Sequence, residues 1–173
     1  PIGWMFAATG LLFALTALTA AVVAAEPLTS PIHPWAVWFG GWLWIPAIIL
    51  PATFVLLLFP DGHLLSPRWS FAGWSAGLGL ALLVLMVMLH PGPLTSWYLP
   101  ANPFGIPGTA RFFDGVMNIG LAFLALGFGG AVAAVLVCFR RSAGILRQQL
   151  KWLVYAVALN VLIGTLASAA GAI

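Results

Sequence analysis

"LFPDGHLLSPRW", residues 58–69, separates two long apolar runs and carries three of the chain's twelve charged or histidine residues, Asp61, His63 and Arg68. Pro60 disfavours helical geometry at Phe59, the residue before it, so the apolar run ends there. "FPDG" sets Pro at the second and Gly at the fourth position of a type I turn, with Asp61 able to bond nearby backbone amides. Ser66 followed by Pro67 is a helix-start signal: a side-chain acceptor as cap, then a proline where no amide is missed. The stretch therefore reads as the turn of a helical hairpin.

Composition sets the solvent for the flanking runs. A soluble domain spends about a quarter of its residues on Asp, Glu, Lys and Arg and roughly half on apolar types. This 173-residue chain spends 5% and 63%. A domain of that size buries only about 70% of its unfolded surface, so most of the apolar surface must face lipid.

Spanning a bilayer core takes about 20 apolar helical residues. Five runs qualify, 3–25, 35–59, 70–90, 113–139 and 152–173, and predict an all-α, multi-pass transmembrane bundle forming a single membrane-embedded domain. Their connections are rich in Pro, Gly, Ser or charge, as turns require. Pro46 and Pro51 are expected to bend the second span, whose freed carbonyls need partners from neighbours.

Lys and Arg are retained in short cytoplasmic loops. Arg68 lies in the 60–69 loop, and Arg140, Arg141, Arg147 and Lys151 lie in the 140–151 loop, so both are expected to be cytoplasmic in a cell-membrane protein. Arg111 sits on the opposite side, where Asp114 three residues on can pair with it across a helical turn. Trp35, Trp69, Trp97 and Trp152 fall at span ends, the headgroup position an indole prefers. Five spans starting inside leave the far end outside, and a sixth span is expected to follow Ile173.

Glu26, His33, His90, Trp97 and Tyr98 share the predicted outer rim. Histidine titrates near physiological pH, so a proton or ligand sensor fits there as well as ordinary polar loops do. Arg140, Arg141, Arg147 and Lys151, with Ile145, Leu146 and Leu150, form either a short interfacial helix on anionic headgroups or an orientation signal alone. Asp61 and Arg68 belong to the same inner face. Gly73 and Gly77 give a Gly-x-x-x-Gly face for close helix contact, and Asn118 and Asn160, inside spans, need interhelical partners.

Six basic residues do not make the dense stripe that nucleic acid requires. Cys138 is alone, which excludes an internal disulfide and a cysteine-cluster metal site. Phosphate-binding glycine loops, paired carboxylates, nucleophile–base arrangements and metal-ligand spacings are all missing, so no catalytic, cofactor or metal site is expected.

"LLFPDGHLLSPRW", the start "PIGWMFAATGLLFAL", "NPFG" at 102–105 and "RRSAGILRQQLKW" at 140–152 together resemble, in matching order, the N-terminal membrane region of actinobacterial two-component sensor histidine kinases. The resemblance implies a sensory or anchoring module joined to a dimerising, phosphoacceptor and ATP-binding region, with a homodimer and a response regulator as partners besides the lipid bilayer. No residue here carries that catalysis: His63 follows Gly62 in a hairpin turn, not on a dimerising helix. The rival readings are a small transporter or channel subunit, disfavoured by the peripheral position of the charges, and a structural membrane protein without a kinase.

Overall fold

The computed structural model describes residues 2–59, 62–95 and 98–141, with Gln148 and Tyr155. Four helices are long and apolar enough to cross a membrane: α1 (Ile2–Ala25), α2 (His33–Leu58), α3 (Pro67–Leu89) and α4, which is apolar from Ala110 to Arg140 and helical to Arg141. Each coincides with one of the first four runs, extended by up to three residues. The fifth run, 152–173, lies outside the described residues. All the membrane-length elements among the described residues are helical. The connection after α3 adds a short antiparallel ribbon, β1 (Pro93–Thr95) with β2 (Tyr98–Ala101).

The sequence signals act at the hairpin, with two corrections. Phe59 leaves helical geometry for extended backbone (ψ 141°), as the following proline dictates. The turn closes through the Gly62 N–H donating to Leu58 O at 2.7 Å, one residue longer than a type I turn. Gly62 sits at φ +77°, a left-handed conformation that glycine adopts without steric cost, which is why Gly stands there. Ser66 is extended and precedes Pro67, as a cap should be, but its hydroxyl makes no capping bond. The first turn of α3 is 3₁₀ instead, with the Trp69 N–H on Ser66 O at 3.0 Å.

The two prolines act on α2 by widening it. Neither ring nitrogen can donate, and a proline ring crowds the carbonyl four residues back. The helix answers with a π-helical stretch over Leu50–Val55, beginning one residue before Pro51 and returning to α geometry at Leu56. Thr53, inside that stretch, is buried.

Neighbouring helices pack in sequence order. Gly40 of α2 faces Thr19 of α1, where a β-carbon would stand 3.0 Å from the threonine hydroxyl. Gly73 and Gly77 face α2 at ordinary contact distance: a β-carbon would lie 3.4 Å from Leu57 Cδ2 and 3.9 Å from Phe54 Cζ. The tightest seam is on the adjacent face of α3, against α4. Ala72, Ala76 and Gly79 approach so closely that a β-carbon at Gly127 would stand 2.6 Å from the Ala76 nitrogen. One at Gly79 would stand 2.6 Å from Gly120 O, and one at Gly130 would stand 2.5 Å from Ala72 Cβ. Between lipid-soaked helices, where apolar burial gives little drive, small residues allow backbone approach and dispersion contact. Ser75 Oγ adds a hydrogen bond to Phe123 O at 2.8 Å.

That seam makes a direct prediction. Gly127→Ala should lower stability by about 1–3 kcal/mol, the usual cost of overpacking. Gly129→Ala, with nothing within 4 Å, should be neutral or stabilising by up to about 1 kcal/mol through helix propensity. Thermal unfolding of the two variants in the same detergent compares them.

Candidate functional site at the Asn102 end

The connections α1–α2 and α3–α4 lie at the same end of the bundle, where Trp38 of α2 and residues 102–106 converge on the C-terminus of α3. A helix leaves its last four carbonyls without partners. Here those of Met88, Leu89 and the following His90 are taken up by side chains and loop backbone. Met88 O accepts Trp38 Nε1–H from α2 at 3.1 Å and Asn102 Nδ2–H at 2.9 Å. Asn102 also donates to His90 O at 3.0 Å, and the Ile106 N–H reaches Leu89 O at 3.1 Å.

Asn102 is the centre of this cap and is 7% exposed. Its side-chain oxygen accepts the Phe104 N–H at 3.0 Å, an Asx turn that folds "NPFG" back on itself. The turn places Phe104 against the indoles of Trp38 and Trp35, with ring centroids 4.9 and 5.2 Å away. Gly105 is needed for the close approach, since a β-carbon there would meet Pro91 Cα at 2.8 Å and His90 O at 2.9 Å. Trp38, 9% exposed, is thus both packing bulk and hydrogen-bond donor. Trp35 and Phe104 each keep an exposed face.

The rim residues divide. His33, at the start of α2, is 3% exposed, and its Nδ1 lies 3.3 Å from the Glu26 backbone oxygen. The Nε2 of His33 is buried and has no hydrogen-bond partner. The Glu26 residue itself is exposed. His90 Nε2 lies 3.3 Å from Asp114 Oδ1, joining the end of α3 to the start of α4. Asp114 therefore points across to α3 and not along its own helix to Arg111, because the histidine at the α3 end lies within its reach. The Tyr98 backbone belongs to β2. Trp97 lies outside the described residues.

In the hairpin between α2 and α3, His63 and Arg68 are exposed; on α4, Arg140 is exposed and Arg141 is the last helical residue. Asp61, Arg147 and Lys151 lie outside the described residues. Asn118 is exposed on α4, and Asn160 lies outside the described residues. Among the described residues no group of three or more His, Cys, Asp or Glu gathers to hold a metal.

Sequence reasoning missed the roles of Asn102, Trp38 and Phe104. "NPFG" carried a turn signal, Asn before Pro with Gly two residues on, but nothing in it specified which carbonyls the amide would serve. Comparison with family models, curated proteins and solved structures finds no match for the chain.

Removing the Asn102 amide strands buried carbonyls, so Asn102→Ala should cost about 1–3 kcal/mol. Asp114→Asn touches an exposed pair and should cost less than about 1 kcal/mol. Chemical unfolding of both in mixed micelles measures the contrast.

Proposed function

We propose that the chain is the membrane-embedded sensory and anchoring module of a two-component sensor histidine kinase, passing signals to a cytoplasmic kinase region joined to it. In this reading the module has five spans, the fifth over 152–173, and the loops 60–69 and 140–151 face the cytoplasm. The observation that carries the reading is the division of labour between the two ends of the bundle. One end is an ordered cap in which Trp38, Asn102 and Phe104 bind the α3–α4 connection to α2 and α3. The other presents a short hairpin with an exposed basic side chain, Arg68.

Such a module needs a stable receiving end and short rigid elements leading to the kinase. A change at the cap acts on α2 and α3 together, and the shared hairpin at 58–69 receives it. The π-helical stretch in α2 lies on that route. The resemblance of four ordered motifs to sensor kinases of this type supports the same reading. Against the transporter alternative stands the placement of charge: among the described residues, every Asp, Glu, Lys, Arg and His lies at a helix end or in a connection.

Two measurements test this function. The full-length gene product in membrane vesicles should incorporate the γ-phosphate of ATP into an acid-labile, base-stable phosphohistidine; a product without that incorporation contradicts the proposal. For sidedness, in a Cys138→Ser background, a cysteine at Ser30 should react with an impermeant maleimide in intact cells, and one at Ser142 should react only after permeabilisation. The reverse pattern inverts the topology.

A further inference from the structure

The two sides of α4 are both lined with small residues, and only one of them is used by the chain's own packing. Gly120, Gly127 and Gly130 are buried against α3. On the opposite side, by the helical period, lie Gly115, Asn118, Ala122, Ala125, Gly129 and Val132, all exposed. Their spacing alternates three and four, a 3.5-residue repeat sustained for about 26 Å of helix. The exposed side of α3, by contrast, carries Phe71, Trp74, Leu78 and Leu85, bulk that suits lipid.

Asn118 says what this side of α4 lacks. It is exposed within the apolar run 115–139, and its amide has no hydrogen-bond partner among the described residues. Lipid tails offer neither donor nor acceptor, and an amide needs both. The glycines point the same way. Glycine is a poor helix former, yet a β-carbon at Gly115 or Gly129 would meet nothing within 4 Å, so the chain's own packing requires neither. They stand two turns of the repeat apart, at one equivalent position. Walls of larger side chains flank the stripe, Phe112, Ile119 and Leu126 on one side and Leu121 and Phe128 on the other, each between 43% and 65% exposed.

We infer that two copies of this chain pair through α4, their stripes face to face about a two-fold axis along the membrane normal. Copies inserted in the same direction bring the helices together in parallel, so Asn118 meets the partner's Asn118. A carboxamide carries both donor and acceptor, and the pair satisfies each amide with the other. The small residues let the two backbones approach, and a 3.5-residue repeat sets a left-handed crossing of about 20°. At the head of the stripe each copy carries Arg111 and Asp114, so the two outer ends meet with charges of both signs and no net repulsion. A stable interface buries on the order of 800 Å² per partner, and the stripe with its flanking walls offers surface of that order. The pairing depends on α4 alone and stands whether or not a kinase region is joined to the chain.

Cysteine cross-linking of the full chain in its membrane, in a Cys138→Ser background, reads which faces meet. Ala122→Cys and Ala125→Cys should give disulfide-linked dimers on mild oxidation, whereas Leu85→Cys, exposed on α3, should not. A dimer held elsewhere gives no cross-link at 122 or 125 and overturns the inference, as does a cross-link at Leu85 of equal yield, which is random collision. In liposomes at falling protein-to-lipid ratio, single-molecule photobleaching gives the dimer fraction. Gly129→Leu should raise the dimer Kd at least about tenfold, and Asn118→Leu about three- to tenfold, the measured range for interhelical hydrogen bonds. Thermal unfolding of the diluted monomer should be the same for Asn118→Leu as for the parent. A lower unfolding temperature for that monomer, which is an Asn118 partner within the same chain, or a dimer fraction unchanged in Gly129→Leu, overturns it.

Discussion

The last carbonyls of a helix that ends in or near a bilayer have no water to accept from, and an unmet one costs several kcal/mol. At the end of α3 that constraint is met by groups from three directions: the Trp38 indole from α2, the Asn102 amide from the following connection, and the loop amide of Ile106. Much at this end of the bundle follows from it. Trp38 must sit deep enough to reach Met88, which draws α2 against α3. Residues 102–106 must return to the end of α3, which sets Phe104 on the tryptophans, while His90 meets Asp114 at the start of α4. The cap is thus a structural necessity.

Below the cap a different rule governs packing. Apolar side chains gain little by leaving lipid for protein, so helix contacts depend on how closely backbones approach. The α3–α4 seam uses Ala72, Ala76 and Gly79 against Gly120, Gly127 and Gly130, with Ser75 bonded across. The α2–α3 contact is looser and uses side-chain bulk, as Gly73 against Leu57 shows. Between α1 and α2 the packing is incomplete, and a groove beside Gly40 remains. A gradient of tightness therefore runs across the bundle, from α4 to α1.

The existence and limits of α1 to α4 were legible because they depend on run length and on Pro and Gly punctuation. The limits fall within three residues of the sequence reading at each end. Which face each helix turns to which neighbour was not legible. In a soluble helix an apolar stripe marks the buried face, but here lipid-facing and protein-facing sides are both apolar, so the Gly73 and Gly77 spacing does not tell that the tighter seam uses Ala72, Ala76 and Gly79 on the adjacent face. A regular Gly-x-x-x-Gly spacing is easier to notice than a mixed Ala and Gly face with the same steric effect. Polar partners failed for a related reason. Asp114 was paired with Arg111 by helical spacing, whereas its contact is with His90, 24 residues away, and only tertiary structure brings them together. His33 and Glu26 were legible as rim residues, but the burial of His33 was not, since it depends on how the α1–α2 turn folds over it.

The account rests on residues 102–106 forming an ordered cap on the end of α3, and amide hydrogen exchange in lipid nanodiscs tests this most directly. The N–H groups of Asn102, Phe104, Gly105 and Ile106 all have acceptors, on Gly92, the Asn102 side chain, Asn102 O and Leu89 respectively. They should exchange at least about a hundredfold more slowly than the same residues in an unstructured peptide, because opening them requires undocking the whole cap. Exchange of these four amides at unstructured-peptide rates, while α3 remains protected, would contradict it.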